Sequence, residues 1–239
     1  VMADVAEDTF TAYPLRGHKD GVLCVATGPV GKKEKNWREE RPLLLSGSED
    51  STVRLWDLKT RKPTRCILGC FSKNPVNSVA FTPGDPNRIY AAAGNKIFSF
   101  DLRKTSILLT KPETILEFNK EEISQVAMHR KGKFLASCDD SGEIQVIDFR
   151  GREPKKLKTL KGHSNICSTV QFRPQAPWHL VSGSMEAKDA ISHWDFNRPK
   201  LLTTYSNQFE QERDEQEKKR AKNKGKKLNE PVIPETRIV

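Results

Sequence analysis

The sequence has no long hydrophobic run. No window approaches the roughly 18 consecutive apolar residues that indicate a membrane-spanning helix. The opening stretch VMADVAEDTF is acidic and mixed, whereas a secretory signal is first basic and then apolar. Apolar residues are 36% of the 239, and the mean hydropathy is −0.66. We therefore expect neither a membrane protein nor a secreted one.

Cysteine is also scarce. Its five copies, Cys24, Cys66, Cys70, Cys138 and Cys167, are an odd number without the spacing of a disulfide framework. Only Cys66 and Cys70 lie close together, and no pair of histidines at metal-ligand spacing accompanies them, although structural zinc takes four ligands. We therefore expect no metal site and a reducing compartment, which means a cytoplasmic and/or nuclear location.

What the chain does contain is an internal repeat. Four dipeptides, each an apolar residue followed by Asp, recur at spacings of 44, 47 and 47 residues, close to the ~40–45 residues of a four-stranded propeller blade. They are Trp56-Asp57, Phe100-Asp101, Ile147-Asp148 and Trp194-Asp195. Three short β-rich runs separated by turn residues precede each dipeptide, and a fourth run follows it. No apolar period of 3.6 residues runs through any copy, so the pattern predicts strands.

The first and fourth copies carry the more specific motifs. Gly17-His18 precedes the segment LLLSGSEDSTVRLWD, and Gly162-His163 precedes LVSGS and then Trp194-Asp195. At these residues the sequence resembles the WD-repeat family of β-propellers, over about residues 9–206. The resemblance implies an all-β propeller with four recognisable blades in a partial ring.

In that family a His, a Ser or Thr, an Asp and the closing Trp form a buried hydrogen-bonded tetrad. The resemblance implies a complete one in the first copy, and in the fourth copy one whose candidate acid, Asp189, lies one residue nearer the Trp. The residues concerned are His18, Ser46, Asp50 and Trp56, and then His163, Ser182 and Trp194. The second and third copies replace the Trp by Phe100 and Ile147 and lack the Gly-His pair, so apolar packing is expected to hold them.

Ser, His and Asp together also suggest a hydrolase triad. The chain contains no G-x-S-x-G, HExxH, GxGxxG or complete phosphate-loop motif, however. A tetrad satisfies every buried polar atom and fixes a loop, which is a structural role. We therefore predict a protein that is not an enzyme and has no catalytic, cofactor-binding or metal-binding residue.

Residues 120–185 also resemble one group of WD-repeat proteins in several short sequence segments. Members of this group are thought to be substrate receptors that dock on the large damaged-DNA-binding adaptor of a cullin-RING ubiquitin ligase. The docking box of such receptors matches residues 44–59, LLSGSEDSTVRLWDLK. The resemblance implies docking roles for Asp50, Trp56, Asp57, Lys59, Arg103 and Arg150, while the fourth copy has Asn197 in place of the final cation.

Two observations keep a second function open. Lys59 stands where the strongest receptors have Arg, and an ammonium group lacks the bidentate geometry of a guanidinium. The box is also largely what any well-formed blade requires. The alternative is a generic scaffold in a chromatin or ribonucleoprotein assembly.

The organisation predicted from composition has three parts. Residues 1–8 are an N-terminal tail, residues 9–206 hold repeats at about 9–62, 63–106, 107–153 and 154–206, and residues 207–239 form a charged, disordered segment. Residues 31–41 are predicted to be a solvated loop in which Trp37 is the one possible anchor. The basic run 218–227 suggests nuclear import, phosphate-backbone binding, or a solvated loop or nascent helix. No aromatic residue interleaves it, so nucleic acid is not an expected partner.

The ring is not expected to close. The run Thr9–Leu15 lies where the family places an outer strand, which in a closed ring completes the last blade. Residues 209–227 are charged and residues 228–239 hold one short apolar pair, so neither supplies the missing strands. An open arc exposes strand edges, which predicts low solubility or self-association.

Overall fold

The computed structural model of the chain describes residues 12–28, 43–104, 106–186, 190–198 and 200–205. All regular structure in these ranges is β-strand, arranged as four sheets that we call blades one to four. Blade one holds β1 (Val22–Thr27), β2 (Leu43–Ser48), β3 (Val53–Asp57) and β4 (Lys62–Ile67), and blade two holds β5 (Val76–Thr82), β6 (Asp85–Ala93), β7 (Lys96–Asp101) and β9 (Thr114–Leu116). Blade three holds β10 (Ile123–Met128), β11 (Phe134–Asp139), β12 (Ile144–Asp148) and β13 (Lys155–Leu160), and blade four holds β14 (Cys167–Phe172), β15 (His179–Ser184), β16 (Ile191–Asp195) and β17 (Lys200–Tyr205).

The predicted all-β propeller of four blades is confirmed. The runs Ile123–Met128 and Ile144–Asp148 are strands with the expected bounds, and four consecutive side chains of the second run are buried, so both of its faces lie in the core. One strand was not predicted. The short β8 (Leu108–Leu109) pairs in parallel with β4 and so joins the outer edge of blade one.

The hydrophobic core lies between blades rather than within them. Phe71, Phe98 and Phe100 fill the space between blades one and two together with residues of β2 and β3. Ile123, Leu135 and Ile147 pack against blade two, while Phe134, Trp194 and Phe196 join blades three and four. Each blade is therefore stabilised by its neighbours, as in other repeat proteins.

Each first strand begins with the same irregularity. The register between the first and second strands shifts one residue after the start of β1, β5, β10 and β14, which indicates a β-bulge. The side chain of the residue after the bulge accepts a hydrogen bond from the next blade in two of these strands. The hydroxyl of Ser78 accepts a hydrogen bond from the Val126 amide at 3.0 Å, and Gln125 Oε1 accepts one from the Val170 amide at 2.7 Å. We call these contacts the bulge clasps.

Strand direction sorts the connections onto two edges. The first and third strands of each blade run from the edge we call upper, where β1 begins, to the edge we call lower, where β3 ends at Asp57. Sheets that follow each other in the chain pack together, whereas blades one and four share no packed interface within the described ranges. Val25 on β1 and Ile191 on β16 are accordingly exposed, and the four blades form an open arc.

Several predictions fall wholly or partly outside these ranges. Residues 12–15, the described part of the predicted outer strand, form no strand. The loop at 31–41 with Trp37, the acid Asp189, the basic run 218–227 and most of 207–239 lie outside the described residues, as do residues 1–8. The repeat boundaries stay predictions.

Candidate docking face

The lower edge presents four equivalent turns, one at the end of each third strand. In every turn the Asp of the closing dipeptide accepts a hydrogen bond from the amide two residues later, a local contact that fixes the turn. These bonds join Asp57 to Lys59 at 2.8 Å, Asp101 to Arg103 at 2.9 Å, Asp148 to Arg150 at 2.8 Å, and Asp195 to Asn197 at 2.9 Å. The turns place the predicted docking residues Lys59, Arg103 and Arg150 on one edge of the arc.

The two arginines are held by their own aspartates. Arg103 donates from Nε and Nη2 to both oxygens of Asp101, with a shortest distance of 2.6 Å, and Arg150 binds Asp148 in the same way at 2.7 Å. Hydrogen bonds from the Arg103 side chain and amide lower the pKa of Asp101 to about 2. The Arg150 side chain likewise lowers the pKa of Asp148, although partial burial opposes it. Both carboxylates are therefore ionised at neutral pH, and each guanidinium is fixed in a bidentate orientation.

Blade one presents a different surface. Asp57 is 8% exposed, because its carboxylate turns inward to the amides of Lys59 and Thr60. Leu58 is 36% exposed beside the exposed Lys59. The guanidinium of Arg61 lies 3.4 Å from the ring centre of Tyr13, which is 56% exposed. We call Tyr13, Leu58, Lys59 and Arg61 the blade-one patch. The sequence analysis named only Lys59 of the four, although an exposed aromatic beside a cation is a common interface feature.

On the upper edge the four predicted residues of the first copy meet. His18 Nε2 lies 2.7 Å from Ser46 Oγ, and His18 Nδ1 lies 3.0 Å from Asp50 Oδ2. Trp56 donates its indole N–H to the same Ser46 oxygen at 2.8 Å. Burial raises the pKa of Asp50, but hydrogen bonds from Thr52, the Lys19 amide and His18 outweigh it and lower that pKa to about 2.

Blade four repeats the arrangement with a different acid. His163 Nε2 and Trp194 Nε1 each lie 2.7 Å from Ser182 Oγ. The carboxylate near His163 belongs to Glu186, whose Oε1 lies 3.7 Å from His163 Nδ1 and accepts a hydrogen bond from the Ser164 amide. Burial lowers the pKa of His163. Counting four residues on from Ser182, as Asp50 follows Ser46, would have identified Glu186, whereas counting back from the Trp pointed to Asp189.

Blade three is packed through apolar side chains, but it also contains a polar network that was not predicted. Asn119 occupies the place of His18, four residues before the first strand. Ser137 donates to Asn119 Oδ1 at 2.7 Å, and Asn119 Nδ2 donates to the fully buried Asp139 at 2.9 Å. A short amide side chain thus forms the polar network that a His forms elsewhere. In blade two the corresponding residues are Ala91 and Phe100, which pack into the core without polar contacts of their side chains.

These hydroxyls are poorly placed for catalysis. Ser46 and Ser182 are 3% and 1% exposed, and each oxygen already contacts an imidazole and an indole N–H. A nucleophile must reach its substrate, so this arrangement can fix loops but offers no attack path. Within the described ranges no three His, Cys, Asp or Glu side chains are grouped as a metal site would need, and no helix is long and apolar enough to cross a membrane. All five cysteines are free, and burial raises the pKa of Cys24 to about 11.

Replacing His18 by alanine is expected to destabilise the protein by about 1–3 kcal/mol, since Ser46 and Asp50 lose their shared partner while they remain mostly buried. Urea unfolding measures the loss, and Lys19→Ala, an exposed neighbour, serves as the matched control. A serine-directed covalent probe should leave the wild-type protein unlabelled. Stoichiometric labelling of Ser46 or Ser182 would contradict the structural role of the tetrad.

Comparison with known proteins agrees with this fold. Residues 10–57 and 154–195 match the family described as WD domain, G-beta repeat. The chain is 40% identical over 189 residues to the WD repeat-containing protein 53 homolog of Dictyostelium discoideum, a match that covers 79% of the chain and 47% of that relative.

More distant relatives belong to other assemblies. THO complex subunit 3 of Arabidopsis thaliana is 25% identical over 80% of the chain and 54% of its own length. Ribosome biogenesis protein BOP1 of Rattus norvegicus is 27% identical over 72% of the chain and 26% of its own length. The chain thus spans about half the length, or less, of these relatives.

Proposed function

The chain belongs to the WD-repeat family of β-propellers, and on this premise we propose that it is a non-enzymatic interaction module that docks on the adaptor of a cullin-RING ubiquitin ligase as a substrate receptor. The similarity to the WD repeat-containing protein 53 homolog supports the group identified from residues 120–185. A cytoplasmic or nuclear location belongs to the same proposal.

The observation that carries the proposal is the blade-one patch. Protein interfaces combine an apolar or aromatic anchor with a polar rim, and arginine and tyrosine are common among the residues that contribute most to binding. Leu58 and Tyr13 supply exposed apolar surface, and Lys59 and Arg61 flank it with positive charge. The turns of Arg103 and Arg150 extend the same edge with two guanidinium groups of fixed orientation.

The docking test is the double replacement Asp57→Ala with Lys59→Ala. We expect adaptor binding to weaken by about 30-fold or more. The blade-one patch loses the positive charge of Lys59, and the turn loses the two hydrogen bonds that Asp57 accepts. Titration calorimetry with purified adaptor measures the affinity, and circular dichroism verifies the fold, since Asp57 also fixes its own turn.

Two further variants separate docking from turn stability. Lys59→Glu keeps the Asp57 hydrogen bonds and should weaken binding to a similar degree. Lys73→Glu makes the same charge change at an exposed residue near the upper edge and should not. If the folded double variant binds the adaptor with unchanged affinity, the docking hypothesis is wrong.

A scaffold role in a ribonucleoprotein assembly is the second candidate. It is favoured by the similarity to THO complex subunit 3 and to ribosome biogenesis protein BOP1. Co-purification of the tagged chain from cells distinguishes the two, since the dominant partner is either the ligase adaptor or a set of ribonucleoprotein components.

A further inference from the structure

The two edges of the arc differ in charge. Acidic side chains concentrate on the upper edge around blade three, where Glu121, Glu122 and Asp140 are exposed. The turns of the lower edge are rich in exposed cations, and their aspartates are taken up by the hydrogen bonds that fix those turns. The exposed lower-edge cations include Lys59, Arg61, Arg103, Lys104, Arg130, Lys131, Lys133, Arg150, Arg152, Arg173 and Arg198.

Five of these cations lie in lower-edge turns of blades three and four. Arg130, Lys131 and Lys133 lie in the first turn of blade three, Arg152 follows its third strand, and Arg173 begins the first turn of blade four. All five are exposed, and none forms an ion pair with another residue of the described ranges. We call them the cation cluster.

A packed aromatic layer joins the first turns of blades three and four, which carry four of the five cations. The ring of His129 contacts Phe172 at 5.3 Å between centres, and Phe134 contacts Trp178 at 5.3 Å. The guanidinium of Arg150 lies 4.9 Å from the centre of the Phe134 ring. Burial and the charges of Lys131 and Lys133 lower the pKa of His129, which is consistent with a concentration of positive charge. The backbone of these two turns is therefore fixed before any ligand arrives.

The cluster lacks what a protein partner needs. No large apolar side chain is exposed in residues 129–134, 150–156 or 172–178, and the nearby Phe134 is 3% exposed. The blade-one patch, by contrast, pairs its cations with Leu58 and Tyr13. Charge without an apolar anchor suits a phosphate backbone, which is bound through neutralisation and counterion release. It also indicates binding without base stacking, and hence without sequence preference.

We propose that the cation cluster binds the phosphate backbone of nucleic acid, independently of the docking function of blade one. The expectation that nucleic acid is not a partner rested on the run 218–227 alone. The cluster residues are dispersed in sequence, and the fold places the turns that carry them on the same lower edge.

The test measures binding of the full chain to oligonucleotides of about 20 nucleotides by fluorescence anisotropy, from about 50 to 200 mM KCl. Oligo-U RNA, oligo-T DNA and duplexes of each are the probes, and their ranking identifies the kind of nucleic acid. Neutralising all five cluster residues to Gln should weaken binding at least tenfold at about 100 mM salt. It should also reduce the slope of log K against log salt by about 2–3.5, for three to five lost single-strand contacts at ~0.7 each.

Two matched variants control for net charge. One neutralises Lys19, Lys73, Lys96, Lys120 and Lys161, which lie on or near the upper edge, and the other neutralises five lysines of the run 218–227. Both change the net charge by the same five units, and both should retain most of the affinity. Equal weakening in all three variants, or loss in the tail variant alone, would overturn the proposal.

A further arm uses a poly-glutamate peptide. Binding of this peptide to the cluster without binding of any oligonucleotide would assign the surface to an acidic protein and refute the proposal. Adaptor affinity of the cluster variant should be unchanged, since Lys59 and Arg150 are intact. The nucleic-acid result is thereby separable from the docking result.

Discussion

Gly142→Ala is expected to destabilise the protein by about 2–5 kcal/mol. Gly142 is buried in the turn between β11 and β12 with φ of +78°, a conformation that costs a side-chain-bearing residue about 1–2 kcal/mol. A methyl group at this position would lie 2.6 Å from the carbonyl oxygen of Asn165 and 2.8 Å from that of His163. Both are backbone atoms of the loop that leads into blade four, so relieving the contact moves the loop and adds about 1–3 kcal/mol.

Gly84→Ala is the matched control for that strain. Gly84 has φ of +87°, and a methyl group there meets no heavy atom within 4 Å. Gly84→Ala should lower the stability only by the cost of the left-handed backbone conformation, about 1–2 kcal/mol. Urea unfolding of both variants measures the difference. Equal destabilisation by the two variants would show that the loop carrying His163 moves at no cost. Gly142 would then not be a point of close packing between blades three and four.

Trp194→Ala should cost about 3–5 kcal/mol, the range for removing a large aromatic side chain from a core. Trp194 is 2% exposed, packs in the cluster between blades three and four, and donates to Ser182 Oγ. Thermal and urea unfolding measure the loss. A cost below about 1 kcal/mol would mean that this interface contributes little to stability.

Blade two supplies the control for Trp194. Phe100 occupies the equivalent position, and Ala91 occupies that of Ser182. Trp194→Phe should therefore retain most of the packing and cost about 1 kcal/mol for the lost N–H donor. Combining it with Ser182→Ala should cost less than the sum of the single changes, because each residue is the other's partner. Strict additivity would contradict the hydrogen bond between them.

The strands were predictable because each is a short run rich in β-forming residues between turn residues, with no helical period. The middle strands are buried on both faces by the neighbouring blades. The parallel strand β8 was not predictable, since two residues, Leu108 and Leu109, carry no detectable period. It exists because the chain passes the edge of β4 and pairs with it.

The upper-edge site was predictable where the motif kept its residue types. His18, Ser46, Asp50 and Trp56 could be named together because the resemblance to the WD-repeat family implies that tetrad. Asn119 in blade three could not be named in this way. Its side chain accepts and donates hydrogen bonds, as a His side chain does, but the family motif contains no Asn at that position. The blade-one patch depends on the meeting of Tyr13 and Arg61, which are 48 residues apart in sequence, and no local pattern records such a contact.

The bulge clasps have a consequence for how freely such repeats can be rearranged. The donors are backbone amides at equivalent positions, Val126 and Val170, but the acceptors differ in length: the hydroxyl of Ser78 and the longer amide of Gln125. Thr169 adds a second contact to Gln125 at 2.6 Å that has no counterpart between blades two and three. Each bulge clasp is therefore specific to the two blades that it joins. The copies accordingly have a fixed order, and a gene in which two of them were exchanged should encode a poorly folded chain.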